Sequence, residues 1–210
     1  MIGLADSGGV DPVLERAETR RQTALGILNE LDLLALWQRR GGAPYVVGAV
    51  AYGLVVAADL DLEVFFPHDP TVEDGFAVLA ACARSPRVVK ARFSNRLAEA
   101  DQGLLWQLRL RGPDGAEWKV DMWSMRGDHP GPLARDLVEP MRRCLNAETQ
   151  RAILEIKEHF LAAPDPPPAS IRVYQAVLDG GVRTPEEFRR WMIEHPAAGL
   201  TNWSPGQAAV

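Results

Sequence analysis

Residues 59–66, DLDLEVFF, set three acids at every second position among leucine and valine. In an extended chain side chains alternate between two faces, so Leu60, Leu62 and Val64 turn one way and Asp59, Asp61 and Glu63 the other. Such a strand belongs to a sheet with one face packed into a core and the other gathering carboxylates. Like charges at this spacing repel, and the arrangement is tolerable only where something cationic sits among them. A second stretch, LLWQLRLRGPDGAEWKVDMWSM at residues 104–125, carries two alternating runs around Gly112-Pro113-Asp114-Gly115. It predicts a β-hairpin whose second strand embeds a further acid, Asp121, among apolar neighbours.

The flanking segments read mainly as helix. Leu14, Ala17, Ala24, Leu25, Leu28, Leu31, Leu34 and Ala35 recur at helical spacing, predicting one long helix or two in series before RRGGAP breaks the pattern. A short strand at 45–47 leads into the small-residue turn GAVAYG, and a helix opens at Thr71, with Asp74 as its weak capping partner. RVVKARFSN, residues 87–95, is a further strand. Beyond residue 131 come helices at 133–146 and after Asn146, a proline-rich connector at 164–170, a helix at 170–178 and one capped by Thr184 with Pro185 and Glu187. The first ten residues and the last fourteen read as tails. The expected class is thus α/β (α+β): a mixed-sheet core flanked by helices over residues 1–130, with a helical C-terminal region over 131–210.

A net charge of −5 supplies no global field for nucleic acid. Cys82 and Cys144 lack metal-knuckle spacing and cannot build a disulfide framework. No signal-peptide pattern and no run of membrane-spanning length is present, which points to a soluble, cytoplasmic protein without a membrane partner. The phosphate-loop, zinc-protease and nucleophile-elbow motifs are absent, and the histidines show no mutual ligand spacing.

Two carboxylates two residues apart on one strand face, joined by a third from another strand, can hold a pair of hard cations through oxygen ligands. In a two-metal site the ions lie about 4 Å apart and serve the attacking and leaving oxygens of a phosphoryl transfer. Gly48 and Gly53, just before the acids, permit close backbone approach, and amides exposed in such a turn can cradle a triphosphate.

The run Gly48-Ala49-Val50-Ala51-Tyr52-Gly53, then Asp59-Leu60-Asp61, with Asp121 downstream, resembles the nucleotidyltransferase superfamily of the DNA polymerase β type. That family's signature is a Gly-Ser turn, a further glycine, an Asp-x-Asp flanked by apolar residues and a third Asp on a later strand. The resemblance spans about residues 25–125. It implies that Asp59, Asp61 and Asp121 bind magnesium, that Asp121 also helps activate an acceptor hydroxyl, and that Gly48, Ala49 and Gly53 form the nucleotide seat. Position 49 departs from the pattern: the seryl hydroxyl is missing and only the backbone amide remains.

The expected function is a magnesium-dependent transfer of a nucleoside monophosphate from a nucleoside triphosphate to a hydroxyl, releasing pyrophosphate. ATP is the expected donor because it is the most abundant triphosphate. The acidic charge favours a small-molecule or protein acceptor over long nucleic acid, with RNA kept as a third option. The alternative is a non-catalytic member of the fold acting as a binding or regulatory module. Lys119 shares a face with Asp121 and is a candidate phosphate contact. Lys90, Arg92, Arg109 and Arg111 are candidates for the triphosphate, Trp123 for stacking on a base. Glu63 is expected to lie beyond the ions, in solvent.

Overall fold

A computed structural model describes residues 11–113, 115–196 and 202–206. The N-terminal tail and most of the C-terminal one lie outside them, as does Asp114 of the hairpin turn. The first helix pattern resolves into two in series, α1 (Pro12–Glu30) and α2 (Leu33–Gln38). Asp32, with φ of 51°, makes the left-handed joint between them. The Asp11 side chain accepts from the Val13 amide to cap α1, and proline opens its first turn.

Five strands follow: β1 (Ala43–Val47), β2 (Asp59–Phe66), β3 (Val88–Arg96), β4 (Gly103–Arg111) and β5 (Glu117–Arg126). They form one sheet in the order β1-β2-β5-β4-β3, with β2 and β5 parallel and the other neighbours antiparallel. The predicted hairpin is β4–β5. The sheet is mixed because β2 reaches β5 by a crossover through α4 (Val72–Cys82), β3 and β4. The small-residue turn is a short helix, α3 (Gly48–Tyr52), bounded by Gly48 and Gly53, both at positive φ. The fold is α+β.

One face of the sheet is the main core. Leu60, Leu62, Val64 and Phe66 of β2 meet Trp106, Leu108, Trp118, Val120 and Met122 beneath α1, α2 and α4. A Cβ on Gly75 of α4 would come within 2.1 Å of the Trp106 ring, so glycine is what lets the helix close on the indole. Trp106 in turn donates from Nε1 to Ser124 Oγ at 2.9 Å, satisfying both buried polar groups.

A second core joins the C-terminal helices α5 (Ala134–Cys144), α6 (Ala147–Leu161), α7 (Ser170–Leu178) and α8 (Pro185–Glu194) to Val13 and Ala17 of α1 and to Ala51, Tyr52, Leu54 and Val56. Capping boxes at Asn146 and Thr184 start α6 and α8 as the sequence predicts. Trp203, read as tail, packs against this core and donates from its indole to Asp179. α1 thus touches both cores, and the short α3 sits where they meet, beside the acidic strand.

Candidate active site

The sheet face away from the main core carries the acids, and strand register decides how they meet. Asp61 lies directly opposite Asp121, and Asp59 opposite Lys119, across the parallel β2–β5 pair. Neighbouring strands run about 4.8 Å apart, close enough for carboxylates on both to interact strongly. The cation that the opening alternation demands is supplied partly by the chain itself. Lys119 Nζ donates to Asp121 Oδ2 at 2.9 Å and pairs with Asp59 Oδ2 at 3.1 Å. Gln107 Nε2, from β4, donates to Asp121 Oδ1 at 3.0 Å. Burial acts to lower the Lys119 pKa, but its hydrogen bonds and charge pairing with the two aspartates outweigh that and hold it above the usual lysine value.

Asp61 has no such partner: no hydrogen bond or ion pair reaches it from the described residues. Its carboxyl is pushed up to about 7, first by burial and then by the charge of Asp59, against the attraction of Lys119. Burial raises Asp59 as well, in spite of Lys119, and its Oδ1 is a buried acceptor with no donor. Gly48 closes over this pair. Its φ is 63°, and a Cβ there would stand 2.9 Å from Asp61 Oδ2, so both conformation and space require glycine.

The acids open into a cavity of about 360 Å³. Gly48, Ala49, Asp59 and Asp61 make its floor, Tyr52 and Tyr174 one wall, and Pro167, Pro168 and Ile171 of the proline-rich connector and α7 another. Across from the acids stands Lys157 of α6. Its Nζ donates to the Leu54 carbonyl at 2.8 Å and lies 3.4 Å from the Tyr174 hydroxyl. Burial pushes it down to about 8, while Asp61 and Asp59 pull the other way. A cation held in a largely apolar cavity opposite two carboxylates with unpaired oxygens is a seat for a polyanion that arrives with its own counter-cation.

The sequence reading missed Lys157, yet a signal was present. Lys157 follows the buried Ile153 by four residues and Leu154 by three, so it sits on the apolar stripe of α6 where a solvated lysine does not belong. Glu63 corrects an expectation. Far from lying in solvent, it is 7 % exposed and accepts from the amides of Ala134 at 2.8 Å and Arg135 at 2.9 Å. It caps α5, whose own N-cap residue, Leu133, offers no side-chain acceptor. Trp123 is likewise not at the cavity; it packs on the small cluster of Phe65, Met125 and Leu133. Lys90, Arg92 and Arg109 do not line the cavity: they lie beyond β5, on the far side of Asp121 from it, although Arg109 is near enough for its charge to pull the Asp59 pKa down.

A divalent cation fits Asp59 and Asp61, on the strength of the donorless Asp59 Oδ1 and the unpartnered Asp61 carboxylate. Among the described residues no three acidic, histidine or cysteine side chains form a ready-made metal group, and Asp121 accepts hydrogen bonds from Lys119 and Gln107. None of the described helices is long and apolar enough to cross a membrane.

No protein-family model and no curated protein matches the sequence. Solved structures do match the fold. The chain aligns over 80 % of its length with 51 % of a cytoplasmic RNA terminal U-transferase, at TM-score 0.51 and 12 % identity. It aligns over 79 % with 52 % of Cid1 in complex with the UTP analogue UMPNPP, at TM-score 0.52 and 13 % identity. A third match is the Cid1 poly(U) polymerase bound to MgGTP, at TM-score 0.50 and 15 % identity, covering 69 % of this chain and 45 % of that one. The chain therefore spans about half the length of these structures and shares their fold, the nucleotidyltransferase fold that the sequence resemblance implied.

Proposed function

We propose that the protein is a magnesium-dependent nucleotidyltransferase that moves a nucleoside monophosphate from a nucleoside triphosphate to an acceptor hydroxyl. The observation that carries this reading is the pairing of the unpartnered Asp61 carboxylate and the donorless Asp59 Oδ1, beside Gly48, with a half-buried Lys157 in one cavity. Asp59 and Asp61 would hold the divalent cation, with Asp121 as third member across the register. When bound, the cation neutralises triphosphate charge and makes the acceptor hydroxyl easier to deprotonate.

The chain's own groups do the rest. Lys157 draws the negative charge of the triphosphate into the cavity, and the amides at the start of α3, which have no intrahelical acceptors, add donors there. Tyr52 and Tyr174, ring centroids 5.8 Å apart in an edge-to-face pair, shut water out behind Lys157. In the transfer the acceptor oxygen bonds to the α-phosphorus, and the bond from that phosphorus to the bridging oxygen breaks. Pyrophosphate leaves with the electron pair, and the hydroxyl proton passes to the carboxylate of Asp121. Lys119 and Gln107 hold that carboxylate in position between the acid pair and the open sheet.

ATP remains the proposed donor on abundance; UTP, whose analogue is bound in one matching structure, is the competing outcome. One matching structure is named as an RNA terminal U-transferase and another as a poly(U) polymerase, the reverse of the acceptor that the acidic net charge favours, and nucleic acid accordingly moves to the front. The test is thermal unfolding of wild type and Asp61→Ala with each common ribonucleoside triphosphate, with and without magnesium. A ligand at a hundredfold excess over Kd that binds only the folded state adds about 2.7 kcal/mol. A magnesium-dependent rise confined to the wild type is expected, together with loss of at least about a thousandfold in transfer by the variant. Equal transfer by both proteins would overturn the site. No rise with any triphosphate would favour the non-catalytic reading, for which Ala49 in place of the usual serine is the supporting feature.

A further inference from the structure

The acid-bearing face of the sheet continues past β5, and its charge reverses there. Register sets Asp61, Asp121, Gln107 and Arg92 in one row across β2, β5, β4 and β3, and Asp59, Lys119, Arg109 and Lys90 in the next. Each row therefore starts acidic at the cavity and ends basic at the edge strand. Over β3 and β4 lies an open hollow of about 380 Å³ lined by Val89, Lys90, Arg92, Gln107, Arg109 and Glu117. Arg109 is drawn only loosely to Glu117, at 3.7 Å. Lys90 and Arg92 are exposed and make no ion pair or hydrogen bond among the described residues. Most other arginines of this acidic protein are ion-paired, so two adjacent free cations two strands from the third aspartate, on the same face, stand apart.

We propose that this strip seats the backbone phosphates of a single-stranded nucleic acid whose terminal hydroxyl is presented at Asp121; the inference rests on the transfer reading above and names its acceptor. Three observations favour that occupant. Lys90 and Arg92 are alternate residues of one strand, about 7 Å apart along it, with Arg109 about 5 Å to the side, which matches a repeating charge better than a single one. None of the described helices covers this half of the face, so a polymer can cross it and leave over the β3 edge. Gln107 lines the hollow and also donates to Asp121, which ties the strip to the carboxylate that receives the hydroxyl proton. An anion here is separated from the donor cavity by the width of β5, so donor and acceptor phosphates do not compete for one seat.

The experiment uses the full chain, a labelled single-stranded oligoadenylate and fluorescence anisotropy over a salt series. For Lys90→Glu combined with Arg92→Glu the expected result is at least tenfold weaker binding and a salt slope shallower by about 1.4, at roughly 0.7 for each phosphate no longer neutralised. The milder Arg92→Gln should weaken binding in the same direction. The magnesium-triphosphate thermal shift should stay that of the wild type, which also reports that the double variant is folded. Unchanged oligonucleotide binding by the double variant would overturn the strip. So would a wild type that ignores the oligonucleotide and binds polyglutamate, which would make the acceptor an acidic peptide. If the wild type shows no triphosphate shift while oligonucleotide binding still falls in the variant, the donor reading fails and the strip stands as a nucleic-acid site.

Discussion

The two halves of one sheet face carry opposite charges in opposite surroundings. Over β2 and the start of β5 the acids are roofed by α3, α6 and α7; over β4 and β3 the cations stand in open water. Roofed charges interact in a low dielectric, where a missing partner displaces a proton affinity: Asp61 is pushed up to about 7 and Lys157 down to about 8. Open charges are screened within about 10 Å at ordinary salt. The enclosed half is therefore suited to gripping a compact, highly charged donor. The open half is suited to a long, exchangeable chain whose binding is tuned by salt.

The largest test of this contrast is Lys157→Met. Magnesium-triphosphate binding should weaken about a hundredfold, near 2.7 kcal/mol, because the cation is removed from the cavity that it shares with the two aspartates. The pH dependence sharpens it. Free Lys157 loses its proton as pH rises through about 8, so wild-type affinity should decline above that value, by up to about tenfold per pH unit, while the methionine variant shows no such limb. The stability sign is opposite. Between about 8 and the ordinary lysine value of 10.5 the unfolded chain binds more protons than the folded one, so the wild type should gain stability relative to the variant as pH rises through that window. Tyr52, Tyr174, Asp59 and Asp61 face Lys157 in both proteins, and the difference between them removes their shared contribution. A pH-independent affinity in the wild type would break the assignment.

Next in size is Glu63→Ala. It strips two backbone amides of a buried carboxylate acceptor and should cost about 2 kcal/mol in denaturant unfolding, with α5 the first helix to lose amide protection. An unchanged midpoint would mean that water replaces the carboxylate at no cost. Smallest is Arg92→Glu on the open half, where stability should change by less than about 0.5 kcal/mol although a full charge is reversed. A larger loss would show that the strip is part of the fold and not a free surface.

How much of this was legible in the sequence follows from what each feature depends on. The acid-bearing strand, the β4–β5 hairpin, the caps at Asp74's partner Thr71, Asn146 and Thr184, and glycine at position 48 could all be read locally. Each depends on residues a few positions apart, within reach of a turn or a strand period. Glu63 was misread because alternation assigns it to the acid face without saying what covers that face. The covering amides are 71 and 72 residues away. Lys157 carried a periodicity signal, but periodicity alone marks it as buried and does not say beside what.

By itself, then, the sequence determined which residues share a face: Asp59 with Asp61, Lys119 with Asp121, Lys90 with Arg92. Side-chain direction in a strand is a property of the backbone repeat. Only the tertiary structure decided which faces meet. It set Asp61 opposite Asp121, placed Lys119 between two aspartates, carried Lys157 103 residues along the chain to the Leu54 carbonyl and lined the cations up behind Gln107. Register between distant strands is set by the summed packing of the whole sheet, and a slip of one residue along a strand would have turned that strand's charges to the other side.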